Sequence, residues 1–218
     1  TEKFLWCMQD GAHIESVIIR DNARTTACIS SQAGCRMGCA FCRTGGMGFI
    51  RNLTPGEIVG QLITMRAHLR SRGEDITNVV FMGMGEPLDN RDNLARAITI
   101  INMEIGLHIG MRKITVSTCG HIPGIRWLCG KFPKAGLAVS LNATDHVRRH
   151  RLMPCEHKWP LEELLRTLRQ YTDTGGRRVT FEYILIDGFN DSVGDARELA
   201  AICRRVPSKV NLIVFNEF

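Results

Sequence analysis

Gly34-Cys35-Arg36-Met37-Gly38-Cys39-Ala40-Phe41-Cys42 sets three cysteines at the spacing C-x3-C-x2-C. Three thiolates on so short a loop can hold a cubane iron–sulfur cluster by three of its irons, which leaves one iron without a protein ligand. Structural zinc sites and structural clusters close their coordination with four protein ligands, so a three-ligand set keeps a position open for chemistry. Two plainer readings stay open on spacing alone. The thiols could bind zinc with a distant fourth ligand, or they could be ordinary buried cysteines. Gly45-Gly46-Met47-Gly48 follows, and suits a loop whose N–H groups approach cluster sulfurs, although glycines also simply make turns.

Outward from this loop, strand and helix signals alternate. Residues 14–20 and 25–30 are rich in β-branched residues and flank Asp21-Asn22, the pattern of a hairpin whose second arm runs into the cysteine loop. Thr54-Pro55-Gly56-Glu57 reads as a capping box with proline at the first helical position. The helix it opens carries Ile58, Leu62, Met65 and Leu69 on one face. Strands are expected at 78–82, 113–117, 135–141, 179–186 and 209–215. Helices are expected around 94–101, 122–130, 161–168 and 191–205, the last with Ala196, Leu199, Ala200 and Cys203 inward. Six strands separated by helices imply a parallel sheet. Six units fall short of a closed eight-fold barrel, so the expected fold is α/β, an open (β/α)6 partial TIM barrel preceded by a β-hairpin. A single catalytic domain over 1–218 is expected, with 1–27 as the hairpin extension and 28–218 as the partial barrel.

The 218 residues suffice for one sizeable core, and 44% hydrophobic content is ordinary for a globular chain. No apolar stretch reaches the roughly 20 residues of a membrane helix, so no membrane partner is expected. No signal peptide is visible, though the chain opens at Thr1 without Met. Nine cysteines, three at ligand spacing and the others scattered, fit a reducing cytoplasm better than a disulfide scaffold. A net charge of +6 permits an anionic partner such as RNA, and equally fits a soluble basic surface. Arg148, Arg149 and Arg151 form a basic cluster that reads either as a solvated face or as a phosphate contact.

Ligands of parallel α/β folds bind at the C-terminal ends of the strands. The cysteine loop, Gly83-Met84-Gly85-Glu86-Pro87, Ser117-Thr118, Ser140-Leu141-Asn142 and Asn216 all fall at that edge. Taken singly, Gly85-Glu86 could be a turn with a solvated acid, and Ser140 and Asn142 could be caps. Cys119 lies near the same edge without ligand spacing, and Cys203 reads as core.

The cysteine spacing with Phe41 resembles the radical S-adenosylmethionine (SAM) superfamily. The runs Cys28–Cys35, Gly48–Leu53, Met82–Pro87, Ser140–Asn142 and Asn211–Asn216 together resemble the narrower RlmN/Cfr family of radical SAM ribosomal RNA (adenine) methyltransferases, over essentially the whole chain. The resemblance implies a 4Fe–4S cluster on Cys35, Cys39 and Cys42. It implies SAM held by Gly85, Glu86, Ser117, Ser140, Leu141, Asn142 and Asn216. It also implies a resolving thiol at Cys28 and a proton acceptor at Glu15, residues that by themselves read as a strand thiol and a solvated acid. The implied reaction methylates an adenine carbon, carbon 2 being the expected one, of large-subunit (23S) ribosomal RNA and in some members transfer RNA. In it one SAM methylates a cysteine of a C-terminal loop, and a second supplies the radical that activates that methyl group. The expected partners are the RNA and a reductant protein such as flavodoxin, with the enzyme itself a monomer. Two departures stand out. The family's methyl-carrying cysteine and N-terminal accessory domain are not in this sequence, which therefore reads as a catalytic core able to bind cluster and SAM but not to complete the cycle. The family's Asn-Pro-Phe reads Asn216-Glu217-Phe218. A radical SAM enzyme with a protein or small-molecule substrate is the alternative, and a zinc-stabilised RNA-binding module a more distant one.

Overall fold

Asn22 takes a left-handed backbone (φ 49°), which asparagine tolerates better than most residues, and the chain reverses there. The reversal pairs β2 (His13–Asp21) with β3 (Arg24–Cys28) as the expected hairpin, and an unforeseen strand, β1 (Glu2–Cys7), pairs antiparallel with the other edge of β2. The computed structural model describes residues 1–216. Short strands β4 (Gln32–Gly34) and β5 (Phe49–Asn52) form a separate two-stranded sheet that brackets the cysteine loop and its single helical turn, α1 (Arg43–Gly46). Helices and strands then alternate. The order is α2 (Pro55–Arg70), β6 (Asn78–Phe81), α3 (Arg91–Asn102), β7 (Ile114–Thr118), α4 (Ile122–Lys131) and β8 (Gly136–Ser140). The chain continues through α5 (His146–Leu152), α6 (Leu161–Asp173), β9 (Val179–Leu185), α7 (Val193–Arg205) and β10 (Ser208–Val214).

The large sheet runs β1-β2-β3-β6-β7-β8-β9-β10, parallel from β3 onward. β1 and β10 are its unjoined edges, so six parallel strands make the open partial barrel, extended by two antiparallel strands. One face of the sheet, carrying Val79, Phe81, Val116, Val139 and Phe181, packs against the helices. Thr54 starts α2 with the expected reciprocal cap: its Oγ1 accepts from Glu57 N–H, while the Glu57 carboxylate accepts from Thr54 N–H at 2.8 Å. The Ile58–Leu62–Met65–Leu69 stripe is fully buried, and burying each such side chain contributes about 1.5–3 kcal/mol. α7 departs from the expected facing. Ala196 and Ala200 are exposed, and Asp195, Leu199 and Ile202 face inward, because Asp195 turns in to cap Ser192 and to meet Arg148.

Polar side chains staple the hairpin to the barrel. Gln61 of α2 accepts from Ser16 Oγ (2.5 Å) and Ser30 N–H (2.9 Å), and donates to Ser30 O (3.0 Å). Trp6 Nε1 donates to Ser16 Oγ, and Ser30 Oγ bridges Glu15 O and Met84 N–H. The network is buried and satisfied, the condition under which buried polar groups add specificity without a desolvation penalty. Gln61→Leu leaves Ser30 N–H without its acceptor and is expected to destabilise the protein by about 1–3 kcal/mol in urea unfolding.

Candidate active site

The cysteine loop is set by a close backbone approach. Gly34 has φ 71° and sits at a β-bulge. A Cβ there would lie 2.0 Å from Gly48 O, which accepts the Cys35 N–H at 2.8 Å. The Gly45–Gly48 stretch therefore serves the bracket as well as the turn. Ala40 N–H donates to Leu152 O and Cys42 N–H to Cys39 O, so the loop folds back over the sheet edge. Cys35 is buried, and Cys39 and Cys42 are half-buried. Burial pushes the Cys35 thiol up to about 11 and Cys39 higher still, so both stay protonated until a metal displaces the proton.

All three thiols line one cavity of about 250 Å³, together with Gly85, Glu86, Ser117, Ser140 and Asn142. Gly85 has φ 101° and packs on Gln32, whose Oε1 accepts the Glu86 N–H at 2.8 Å. The Glu86 carboxylate is buried and accepts from Leu88 N–H (3.0 Å) and Cys119 N–H (2.8 Å), tying the β6 loop to the end of β7. Desolvation raises its pKa against those bonds. Asn142 is left-handed (φ 57°), and its Oδ1 accepts Ile184 N–H at 3.0 Å. Leu141 contributes backbone only: its side chain is fully buried and its N–H donates to Glu182 O.

Besides Leu141, three candidate residues lie outside the lining. Cys28 ends β3 beside Met82, which does line the cavity, and burial pushes its thiol up to about 11. Glu15 faces the same side of the sheet but is ion-paired with Lys3 at 2.9 Å. Asn216 is exposed, and its amide reaches back to Val214 O. Glu217 and Phe218, on which the departure from Asn-Pro-Phe turns, lie outside the described residues.

The structure adds residues that the motifs did not mark. Glu182 lines the cavity, accepts from Asn211 Nδ2 at 2.7 Å, and has its pKa raised by burial. Its signal was a charge within the apolar run Val179–Leu185. Asn190 donates to Asn142 O (2.8 Å) and Ile184 O (2.7 Å), fixing the left-handed turn from behind. The arginine cluster is not a phosphate patch. Arg148 is held by Asp145, Asp195 and Glu198, and Arg151 lies over Phe189. Arg149 is fully buried, ion-paired with Glu156, and donates to Cys119 O (2.7 Å) and Ser140 O (3.3 Å), joining the ends of β7 and β8. Arg149→Met strands a buried Glu156 and is expected to cost about 3–5 kcal/mol in chemical denaturation.

The donor set fits a cluster better than a single ion. Among the described residues no three His, Cys, Asp or Glu side chains converge as one metal ion requires. A cubane held through three separate irons asks only that three thiols line one cavity, as Cys35, Cys39 and Cys42 do. No helix among the described residues is long and apolar enough to cross a membrane.

Comparison with known proteins agrees with this geometry. The profile of the Radical SAM superfamily matches residues 29–200. The dual-specificity RNA methyltransferase RlmN of Pelobacter propionicus is 49% identical over 218 residues, all of this chain and 61% of that protein. The probable dual-specificity RNA methyltransferase RlmN of Dictyoglomus turgidum is 46% identical over 217 residues, and this chain covers 62% of it. The chain thus spans about three fifths of the length of these relatives. The crystal structure of a radical SAM methyltransferase from Sphaerobacter thermophilus superimposes with a TM-score of 0.96 at 46% identity, covering 99% of this chain and 63% of that one. With the profile matched over residues 29–200 and the fold superimposed, the chain belongs to the radical SAM superfamily.

Proposed function

We propose that this chain is the catalytic core of a radical SAM RNA (adenine) methyltransferase, acting on carbon 2 of an adenine in 23S ribosomal RNA and on transfer RNA. The observation that carries the reading is the meeting of Cys35, Cys39 and Cys42 with Gly85, Glu86, Ser117, Ser140 and Asn142 around one cavity. In this reading residues 28–218 form the barrel unit and 1–27 its hairpin extension. The protein acts as a cytoplasmic monomer that takes electrons from a reductant such as flavodoxin.

Cys35, Cys39 and Cys42 hold a 4Fe–4S cluster. When bound there, such a cluster would supply the one-electron chemistry for reductive cleavage of SAM. The Gly85–Glu86 backbone, with Ser117, Ser140 and Asn142, binds and orients SAM, and Leu141 sets the turn that presents its neighbours. Asn216, two residues past β10, would contact SAM only on turning inward from its bond to Val214 O. The apolar cavity wall of Phe81, Met153 and Ile184 would limit water at the reacting centre. Cys28, at the cavity margin, would be the resolving thiol, releasing the RNA by forming a disulfide with a methyl-carrying cysteine from outside residues 1–218. Glu15 accepts the proton, a role that requires it to leave Lys3.

Anaerobic reconstitution with iron and sulfide, reduction with dithionite and addition of SAM is expected to yield 5′-deoxyadenosine. Cys35→Ala, Cys39→Ala and Cys42→Ala are each expected to reduce that yield to background. Binding of an adenine-containing RNA fragment that changes the yield of 5′-deoxyadenosine supports the RNA substrate, and a yield that responds only to a protein or small molecule would contradict it.

A further inference from the structure

The end of the sheet opposite the cysteine loop carries a concentration of cations that the ion-pair networks leave out. Arg24 leads β3, Arg112 and Lys113 lead β7, Lys134 leads β8, Arg178 leads β9, and Lys209 starts β10. All six are exposed, and among the described residues none of them is ion-paired with a carboxylate. Among the described residues, unpaired cations such as Arg96, Arg166 and Arg197 also stand on the outer helix faces, but those three are scattered over three helices, whereas these six share one edge. Arg20, Arg51, Arg66, Arg148, Arg149 and Arg205 all pair with acids. Acids do occur at the same end. Glu74, Asp75 and Asp173 are taken up by Arg20, Arg66 with Arg70, and Arg169, which leaves Asp21 and Glu104 outside ion pairs. Arg177 spends its guanidinium on Arg112 O (3.1 Å) and Lys134 O (3.4 Å), and so holds the leads of β7 and β8 together.

From this edge the inner face of the sheet leads toward the cavity, with Ala138 of β8 fully buried partway along it. Inward-facing Thr26, Val80, Thr115 and Thr180 stay partly exposed, while their outward neighbours Ala27, Val79, Ile114 and Val179 are buried. A closed barrel would pack this interior. Here it is an accessible trough floored by small side chains. Arg178 precedes the cavity-lining Glu182 by four residues of β9, about 13 Å of extended chain. Enzymes that act on a base take it out of the stack and away from its backbone. A backbone held at the edge with one base turned inward matches that separation.

We infer that the leading edge of the parallel strands is the docking surface for the RNA sugar–phosphate backbone, and that the target nucleotide reaches the cavity along the inner face of the sheet. The inference rests on the RNA reading above. Its electrostatic signature is specific: each phosphate neutralised contributes about 0.7–0.9 to the slope of log affinity against log salt.

The test compares two triple variants of this chain binding a short adenine-containing RNA hairpin across a potassium chloride series. One is Arg112→Ala/Lys113→Ala/Arg178→Ala at the edge. The other is Arg96→Ala/Arg166→Ala/Arg197→Ala, which removes the same charge from the outer helix faces. Thermal unfolding of both confirms the fold. The edge triple is expected to lower the salt slope by about 2–3 and weaken binding at low salt by about 10–100-fold, with the helix triple close to wild type. Equal effects of the two triples would overturn the docking surface, and so would a wild-type chain that binds no RNA. Either result leaves cleavage of SAM standing as a separate readout of the radical chemistry, so loss of the surface and loss of the functional reading are told apart.

Discussion

Everything at the active end depends on the close approach of Gly34 to the Gly48 carbonyl. No side chain fits there, since a Cβ would sit 2.0 Å from the oxygen. With glycine the two-stranded bracket closes, Cys35 N–H finds Gly48 O, and the intervening loop is thrown over the C-terminal ends of the strands. Three thiols meet one cavity only because that loop is pinned at its base. The chemistry then follows from counting ligands: three sulfurs on a four-iron cluster leave one metal for a small molecule.

Charge and polarity are used in two distinct ways around this loop. Near the cavity, buried polar groups hold strand ends in place. Glu86 joins the β6 loop to β7, Arg149 joins β7 to β8, and Asn190 supports Asn142. Each is tied to a neighbouring strand end by bonds inside the protein, with only Arg149 Nε left unpartnered, so the strand ends are held together in low dielectric, where electrostatic contacts with a charged cofactor are strongest. At the opposite edge the cations are exposed and uncommitted, the arrangement suited to a polyanion in water. The cofactor end is held by internal bonds, and the far edge is open and positive.

Much of this was legible in the residues. The hairpin, the α2 cap and the alternation of strands and helices follow from local patterns, because turn chemistry, capping and 3.6-residue periodicity act over a few positions. The grouping of the cysteine loop with Gly85, Ser117, Ser140 and Asn142 follows from strand polarity alone. β1 was not legible, because Phe4-Leu5-Trp6 hides its alternation and Leu5 stays exposed. The inward face of α7 was misread, because apolarity suggested Ala196 while Asp195 is drawn in by Ser192 and Arg148. Arg149 looked like surface charge, and only its pairing with Glu156 explains its full burial. Long-range polar partners of this kind have no local sequence signal. Glu182 was visible as a charge in a buried strand, and only the fold shows that it faces the cavity.

The most direct test of the three-thiol site is Mössbauer spectroscopy of the chain reconstituted anaerobically with iron-57, with and without SAM. A four-iron cluster whose single non-cysteine iron alone changes its isomer shift when SAM is added is the predicted result. Four equivalent irons that do not respond to SAM, or retention of zinc in place of iron, would contradict it.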